Sequence, residues 1–435
     1  MNYSHAVKAI LTATINDFAA NPDLYALNPG KDFSRNRKLG FKDFILMLLT
    51  MEGDCVKEEL YRYFGRTTAA PSKAAFYKQR KKLKQDALRN FLFLFNPKFK
   101  KNLYQNKYQF IACDGSSVDI FRNPDDSDTF FEPNGKSTKG FNQIHINAFY
   151  SILDRKFTDL VIQPGRKRNE YRAFCEMVDS ADSNAPATVY FGDRGYASYN
   201  NFAHVIENNQ FFLIRCTDKK TEGILGFTLD NVKELDFHVD RILSKSQSKK
   251  KRLHPENYRH ICQNVPMDYL SDEHPEYPIS LRVIRIETAE NCFENIITNL
   301  PNLEFDITDF KDLYHLRWQE ENAFRDIKYP LCLKAFHSKK YAYIIQEIWA
   351  RAITYNFCSE IIINTDIEKR NTKFEYQVDF SEGFKICRDF LRIHNGAVPL
   401  NVEGLIAQNI EAIRPDRIFA RQPRFKLPLS FCYRN

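Results

Sequence analysis

The chain lacks three features that would place it in a membrane or outside the cell. Its longest apolar runs, such as FILMLLTM at 44–51, fall well short of the roughly 20 residues that a membrane-spanning helix needs. Its first residues are typical of an amphipathic helix and show no basic start, apolar stretch and small-residue cleavage site. Its ten cysteines are scattered singly, with none of the close pairs of zinc or redox motifs. We therefore expect a cytoplasmic protein with reduced cysteines and no membrane contact.

Positive charge is concentrated at one end of the chain. Residues 1–108 hold 20 lysines or arginines against 9 acidic residues, whereas the remaining residues hold 43 against 46. An excess of this kind favours a polyanionic partner, because each phosphate that a cation neutralises releases counterions and strengthens binding. The charge distribution therefore predicts that nucleic acid is the partner.

The same basic region shows helical spacing of its apolar residues, and we predict a helical DNA-binding domain over 1–105. Gly65, a threonine-rich turn and Ser72 as a helix N-cap precede a basic stretch typical of a recognition helix. The residues of this stretch that we expect to contact DNA are Lys78, Arg80, Lys81 and Lys82. A merely solvated basic helix explains the stretch equally well.

After residue 106 the pattern changes to strands. YQFIACDGSSVDI, NQIHINAFYSILD and FTDLVIQPG predict a three-stranded meander, and a helix, a strand ending at Asp193, a second helix and another strand follow. This order is that of a ribonuclease-H-like α/β fold, in which helices flank a mixed sheet. We predict a catalytic domain made of residues 106–216 and 301–365.

Residues 217–300 predict an antiparallel β insertion in that domain, because short runs there alternate apolar with polar residues. The insertion contains SKSQSKKKRLH at 244–254, with five basic residues and no acid. A hairpin tip of that composition would suit a DNA backbone, although an exposed flexible loop is equally consistent with it. Residues 366–435 form a basic C-terminal segment.

Two aspartates mark the predicted strand ends. Asp114 and Asp193 each follow an apolar strand and precede small or turn-forming residues. Ligands of α/β sheets bind at the carboxyl ends of strands, so these carboxylates share a pocket if their strands are neighbours. Adjacent carboxylates need a cation, and all-oxygen sites suit Mg²⁺ or Mn²⁺. A third carboxylate is needed to hold the second of the two ions that phosphoryl-transfer sites use.

The stretch YHLRWQEENAFRDIK at 314–328 predicts a helix that carries this third carboxylate. At 100° per residue, an arc of about 60° holds a phenol, a carboxylate and two cations, namely those of Tyr314, Arg317, Glu321 and Lys328. Such a face can ligate a metal ion and hold phosphates. Glu320 lies about 100° from Glu321, outside the face, so we prefer Glu321 as the ligand. A salt-bridged surface helix is the alternative.

The order tyrosine, arginine, glutamate, lysine at this spacing is the YREK signature, and the chain resembles bacterial transposases of the insertion-sequence-four family, which have a DDE triad. ACDGSS around Asp114 and GDRGY around Asp193 resemble that family's first and second aspartate motifs. The likeness extends over about residues 70–435, since SKAAFYKQRKKL and the arginine-rich end also match. The resemblance implies a ribonuclease-H-like catalytic domain interrupted by a β insertion.

The resemblance also implies an activity, namely Mg²⁺-dependent (or Mn²⁺-dependent) cleavage at transposon ends and transfer of the 3′ hydroxyl into target DNA. The partners would be double-stranded DNA, as end inverted repeats and target, and a second copy of the chain in a synaptic homodimer. We expect such a protein at the bacterial nucleoid. The alternatives are a metal-dependent nuclease of the same fold and a catalytically inactive, transposase-derived DNA-binding protein.

By position, the resemblance assigns roles to individual residues. The catalytic metal ligands, for two ions, would be Asp114, Asp193 and Glu321. The residues that contact phosphates near the scissile bond would be Tyr314, Arg317 and Lys328. Further candidates for contact with DNA are Arg194, Tyr196 and Trp318, the last of which is at least as typical of a core residue.

Overall fold

The computed structural model describes residues 2–133, 137–182, 185–229, 234–289, 292–316, 318–333, 335–368, 374–392 and 400–413. The side chains of residues 289, 314, 315 and 318–321 are outside this description. Within the described ranges, no helix is long and apolar enough to cross a membrane.

Helices occupy both ends of the chain and flank the strands of its middle. Their bounds are α1 Tyr3–Ala20, α2 Pro22–Tyr25, α3 Phe41–Thr50, α4 Val56–Tyr63, α5 Lys73–Arg80, α6 Ala87–Phe95, α7 Glu170–Asp179, α8 Tyr199–Glu207, α9 Asp218–Leu225, α10 Lys249–Leu253, α11 Ile307–Leu316, α12 Trp318–Lys328, α13 Tyr341–Ile363, α14 Phe380–Arg392 and α15 Val402–Gln408. The predicted helix over 314–328 corresponds to the end of α11 and the whole of α12.

The strands begin at residue 108, close to the predicted change of pattern. Their bounds are β1 Tyr108–Ile120, β2 Phe130–Phe131, β3 Phe141–Ser151, β4 Lys156–Pro164, β5 Ala187–Gly192, β6 Phe211–Cys216, β7 Leu235–Ser244, β8 Tyr258–His260, β9 Tyr277–Ala289, β10 Cys292–Thr298, β11 Tyr376–Val378 and β12 Ile410–Ala412.

Ten of these strands form one mixed sheet in the order β2-β3-β1-β5-β6-β10-β9-β7-β8, with β4 paired to β3. Strands β1, β3 and β4 are the antiparallel meander, and β1, β5 and β6 run parallel. Strand β5, ATVYFG, reads as an almost unbroken apolar run because helices cover both faces of the sheet there. The predicted ribonuclease-H-like mixed sheet flanked by helices is therefore confirmed.

Residues 217–300 extend the same sheet, because β10 pairs antiparallel with β6 and β9 pairs antiparallel with β10 and β7. The antiparallel strands predicted there are confirmed. The predicted hairpin tip at 244–254 is wrong in detail. The basic residues lie in the short helix α10, which begins after Ser248, whose hydroxyl accepts a hydrogen bond from the Lys251 amide at 3.4 Å. Serine is a favoured N-cap, and no hairpin forms here because the next strand, β8, runs parallel to β7.

Successive side chains of β1 point to opposite faces of the sheet, and the two faces pack against different helices. On one face, Phe110 and Ala112 pack in a cluster with Leu313 of α11, and Val118 packs in a cluster with Phe324 of α12. On the other face, residues 111 and 113 pack in a cluster with α7 and α8. Helices α11 and α12 therefore lie along a single face of β1.

The N-terminal helices pack against the rest of the chain through α13. Apolar side chains of α1, α3 and α6 share one cluster with those of α13, which is buried along most of its length. Ser72 caps α5 by accepting a hydrogen bond from the Ala75 amide at 3.2 Å, as predicted. The helix ends at Arg80, however, so Lys81 and Lys82 lie beyond it. The division of the chain into domains at residues 105, 216, 300 and 365 stays a prediction.

Candidate active site

Asp114 and Asp193 are the first residues beyond the parallel pairing of β1 with β5. In that pairing Cys113 is opposite Gly192, and each aspartate is the next residue of the chain. Asp193 follows the end of β5 as predicted, whereas β1 continues past Asp114 to Ile120 because it stays paired with β3, so the prediction that Asp114 ends a strand is wrong. The carboxyl ends of parallel strands meet at one edge, which is where α/β sheets bind their ligands. The structure thus brings together the two aspartates that the sequence singled out separately.

Each aspartate accepts a hydrogen bond from the backbone that follows it, within β1 for Asp114 and in a turn after β5 for Asp193. Asp114 Oδ1 accepts a hydrogen bond from the Gly115 amide at 2.8 Å, and Asp193 Oδ1 accepts one from the Gly195 amide at 2.7 Å. A Cβ on Gly192 would lie 2.7 Å from Ile214 Cδ1 and collide with it. Glycine at this position lets β5 pass close to its neighbour and turn directly into Asp193.

The segment that contains residue 321 lies over the face of β1 that carries Asp114. By strand alternation, Asp114 shares its face with Ala112 and Ser116. The face is covered by α11 next to Ala112, and at Ser116 the Lys328 ammonium of α12 donates to the serine hydroxyl. The same ammonium donates to the Ser117 carbonyl at 3.3 Å. Asp114 is therefore bracketed by the contacts of Leu313 in α11 and Lys328 in α12, and residue 321 of α12 lies between these two positions in the chain.

Several predicted site residues belong to the part of α11 and α12 whose side chains are not described. Those residues are Tyr314, Trp318, Glu320 and Glu321, and residue 317, the predicted Arg317, lies wholly outside the described chain. Their roles stay predictions. The described residues Leu313, Ala323 and Ile327 are buried, as expected for the core side of these helices.

The described side chains account for two of the three predicted metal ligands. Among the described side chains, no group of three or more histidines, cysteines, aspartates or glutamates is arranged to hold a metal ion. The donor chemistry nevertheless fits Mg²⁺ or Mn²⁺, because two carboxylates on neighbouring strands provide oxygen ligands whose mutual repulsion a divalent ion would relieve.

Two polar residues near the aspartates were missed by the sequence reasoning. His145 of β3 lies opposite Ser117 of β1, and its Nε2 is 3.0 Å from Oε1 of Glu170, the first residue of α7. The imidazole lowers the pKa of the Glu170 carboxyl from its ordinary value, against the effect of partial burial. The sequence did contain a signal for His145, because this histidine stands between the apolar residues of QIHINAF. Its partner lies on another element, and only the fold pairs them.

The predicted DNA contacts on either side of Asp193 have different environments. Arg194 is exposed, which suits a contact with DNA. Tyr196 is only 1% exposed and packs in the core with Phe174, and this burial also raises the pKa of its phenol well above the usual range. The expected contact of Tyr196 with DNA is therefore wrong for this conformation.

A second correction concerns the basic helix α5. Lys78 and Lys81 are exposed and Lys82 is half-buried, with its ammonium 5.2 Å from the centre of the Phe33 ring. Arg80 is completely buried and ion-paired with Glu347. The predicted DNA contact of Arg80 is therefore wrong, because its charge is used inside the fold.

The part of the chain that holds Asp114 and Asp193 matches a known protein family. The family model described as transposase DDE domain matches residues 105–357, more than half of the 435-residue chain. Among solved structures, the piggyBac transposase synaptic complex with hairpin DNA matches with 9% identity and a TM-score of 0.43, over 94% of this chain and 85% of that one. At that TM-score the likeness carries no assignment of residues. No curated protein sequence matches the chain significantly.

Proposed function

The chain belongs to the family of transposases with a DDE domain, and we propose that it cuts DNA at the ends of a transposon and joins the freed 3′ hydroxyl to target DNA. The observation that carries this proposal is the position of Asp114 beside Asp193, where the parallel pairing of β1 with β5 ends. Polynucleotidyl transfer needs this kind of carboxylate pair, because the charge that develops on phosphate oxygens must be met by divalent ions.

Our assignment of the metal ligands is Asp114, Asp193 and Glu321, for two Mg²⁺ or Mn²⁺ ions. When bound, the ions would make the attacking water or 3′ hydroxyl more acidic and stabilise the leaving oxygen. Support for Glu321 comes from the packing of α12, which holds the backbone of residue 321 over the face of β1 that carries Asp114. The reaction needs no covalent protein intermediate, so Tyr314 would not be a nucleophile.

Binding of DNA phosphates is proposed for Tyr314, Arg317 and Lys328, the residues of the insertion-sequence-four signature. The Lys328 ammonium points at Ser116, two residues from Asp114, where it can hold a phosphate near the reacting atoms. Arg194 would extend this contact beside Asp193. Trp318 is kept as a candidate for stacking on an unpaired base, and Lys78, Lys81 and Lys82 as candidates for contact with the DNA of the transposon end.

The proposed assembly is a synaptic homodimer that holds two transposon ends and the target DNA. Within a bacterial cell the protein would act in the cytoplasm, at the nucleoid, where its substrate is. The positive charge of residues 1–108 supports this partner, since phosphate neutralisation by lysine and arginine supplies much of the affinity for duplex DNA.

The test uses the full chain, a duplex that carries the terminal inverted repeat next to the coding region, a plasmid target and Mg²⁺. Wild-type protein should yield the donor end joined to the plasmid. Asp114→Asn, Asp193→Asn and Glu321→Gln should each reduce cleavage below detection while the end duplex is still bound in a mobility-shift assay. The matched control is Asp312→Asn, which removes an exposed carboxylate of α11 and should leave cleavage unchanged.

The same assay separates the alternatives. Cleavage without joining would support a metal-dependent nuclease of the same fold. Binding of the end duplex without any metal-dependent cleavage by wild type would support an inactive DNA-binding protein. Retention of cleavage by any of the three triad variants would contradict the assignment of that residue.

A further inference from the structure

His145 and Glu170 lie on the face of β1 opposite the one that carries Asp114. His145 is only 3% exposed, and its Nδ1 is 3.2 Å from the Ser117 hydroxyl, which fixes the ring beside β1. Its Nε2 is buried and has no hydrogen-bond partner of good geometry among the described residues, although Glu170 Oε1 is 3.0 Å away. A buried polar atom that is incompletely satisfied costs stability, so its retention here suggests a functional role.

The pair reaches the backbone next to both aspartates. A Cβ on Gly115 would lie 2.5 Å from His145 Nε2 and 3.1 Å from Glu170 Oε1, so the imidazole and the carboxylate rest directly against the part of β1 that follows Asp114. A Cβ on Gly195 would lie 2.8 Å from Asp193 Oδ1 and 3.9 Å from Glu170 Oε2. One oxygen of Glu170 thus adjoins β1 at Gly115, and the other oxygen adjoins the turn at Gly195.

We propose that His145 and Glu170 form a positioning pair that sets the spacing of the Asp114 and Asp193 carboxylates and thereby the affinity of the site for a divalent cation. This inference rests on the proposed function. The Glu170 side chain is 36% exposed at the sheet edge, while the imidazole behind it is buried. The histidine therefore fixes the position of the carboxylate, and the carboxylate limits how closely the backbone at Gly115 and the turn at Gly195 can approach each other.

A purely structural role is the competing explanation. A carboxylate in the first turn of a helix stabilises that helix through its dipole, and Glu170 begins α7. The helix has its own cap, however, because the Asn169 side chain accepts a hydrogen bond from the Arg172 amide at 3.0 Å. Loss of a dipole interaction would lower the melting temperature without changing the affinity of the folded protein for a cation.

The experiment compares four variants of the full chain: Glu170→Gln, His145→Asn, the double variant and Glu176→Gln. Glu170→Gln keeps the shape of the side chain and removes its charge. His145→Asn keeps a polar group near Ser117 and removes Nε2. The control Glu176→Gln removes an exposed carboxylate of the same helix, α7. Each protein is titrated with Mn²⁺ and the free ion is counted by electron paramagnetic resonance, and its melting temperature is recorded without metal.

We expect Glu170→Gln and His145→Asn each to weaken Mn²⁺ binding by about tenfold, the loss typical of groups that orient metal ligands. The double variant should be no weaker than the worse single variant, because the two residues act as a unit. Glu176→Gln should bind Mn²⁺ like wild type. Unchanged Mn²⁺ affinity in both single variants, with or without a lower melting temperature, would overturn the inference.

Cleavage assays distinguish a failure of the positioning role from a failure of the proposed function. The Mg²⁺ concentration for half-maximal cleavage of the end duplex should rise about tenfold in Glu170→Gln, in line with the Mn²⁺ titration. If wild type cleaves, Asp114→Asn does not, and Glu170→Gln has the wild-type Mg²⁺ dependence, only the positioning role is wrong. If Asp114→Asn cleaves like wild type, the proposed function itself is wrong.

Discussion

Arg80 of α5 and Glu347 of α13 form an ion pair inside the protein, with Nη1 and Oε1 2.6 Å apart and side-chain exposures of 0% and 3%. Arg80 also donates to Gln346 Oε1 at 3.1 Å and to the Tyr343 carbonyl. Glu347 accepts a further hydrogen bond from the His337 amide at 3.0 Å. The sequence places Arg80 in a basic stretch typical of a DNA-binding surface. In the fold, its charge instead links the basic N-terminal helices to the long helix α13.

Removing one partner of this pair should destabilise the whole chain. Arg80→Met leaves Glu347 as a buried charge without its main partner, and the expected loss is about 3–5 kcal/mol of unfolding free energy. Urea unfolding measures this loss. The control Arg66→Met removes an exposed ion pair with Glu58 and should cost less than about 1 kcal/mol. A loss of DNA affinity by Arg80→Met with unchanged stability would instead support the original DNA-contact prediction.

Asp326 of α12 should make stability depend on pH. Burial raises the pKa of its carboxyl to about 6, although neighbouring Arg325 acts in the opposite direction. Because the folded chain holds this proton more tightly than the unfolded chain does, the contribution of Asp326 to stability falls as pH rises from about 4 to about 6. Asp326→Asn should therefore raise the unfolding free energy at pH 8 by about 3 kcal/mol and change it little at pH 4. An equal change at both pH values in urea unfolding would contradict this assignment.

Gly115 should not tolerate a side chain. Alanine would place its Cβ 2.5 Å from His145 Nε2, and the resulting shift of β1 at Asp114 should slow cleavage by about 100-fold, as a misplacement of about 1 Å can. Gly115→Ala combined with His145→Ala removes the collision and should recover part of the rate. Cleavage kinetics on the end duplex measure both. Gly223 of α9, where a Cβ would meet nothing within 4 Å, provides the control, and Gly223→Ala should cleave like wild type.

The basic residues of α10 should contribute to DNA binding through phosphates alone. Lys249, Lys250 and Arg252 are exposed, whereas Lys251 is ion-paired with Glu276 at 2.8 Å. Changing the three exposed residues to glutamine should weaken binding of duplexes regardless of sequence. It should also reduce the slope of log affinity against log salt by about 0.9 per lost phosphate contact. The control is Lys107→Gln, which should leave the slope unchanged because Lys107 is already paired with Glu304. An unchanged slope in the triple variant would exclude α10 from the DNA-binding surface.

Sequence patterns predicted the catalytic sheet well because each strand there carries its own signal. Apolar and β-branched residues alternate in β1, β3 and β4, and polar or small residues follow the apolar runs, so Asp114 and Asp193 could be recognised one at a time. The small and polar residues after Asp114 did not end β1, however, which continues to Ile120. The pattern could not rank the basic residues of α5, because the helical spacing of lysines and arginines does not say which of them meets a buried carboxylate. Arg80 was misassigned for that reason.

The sequence by itself determined where strands and helices form and that Asp193 follows the end of a strand, since hydrophobic periodicity and turn residues act over a few neighbouring positions. Only the tertiary structure decided that Cys113 pairs with Gly192, which sets Asp114 beside Asp193, and that His145 meets Glu170 behind them. Strand order and register depend on packing between residues far apart in the chain, and no local pattern contains that information.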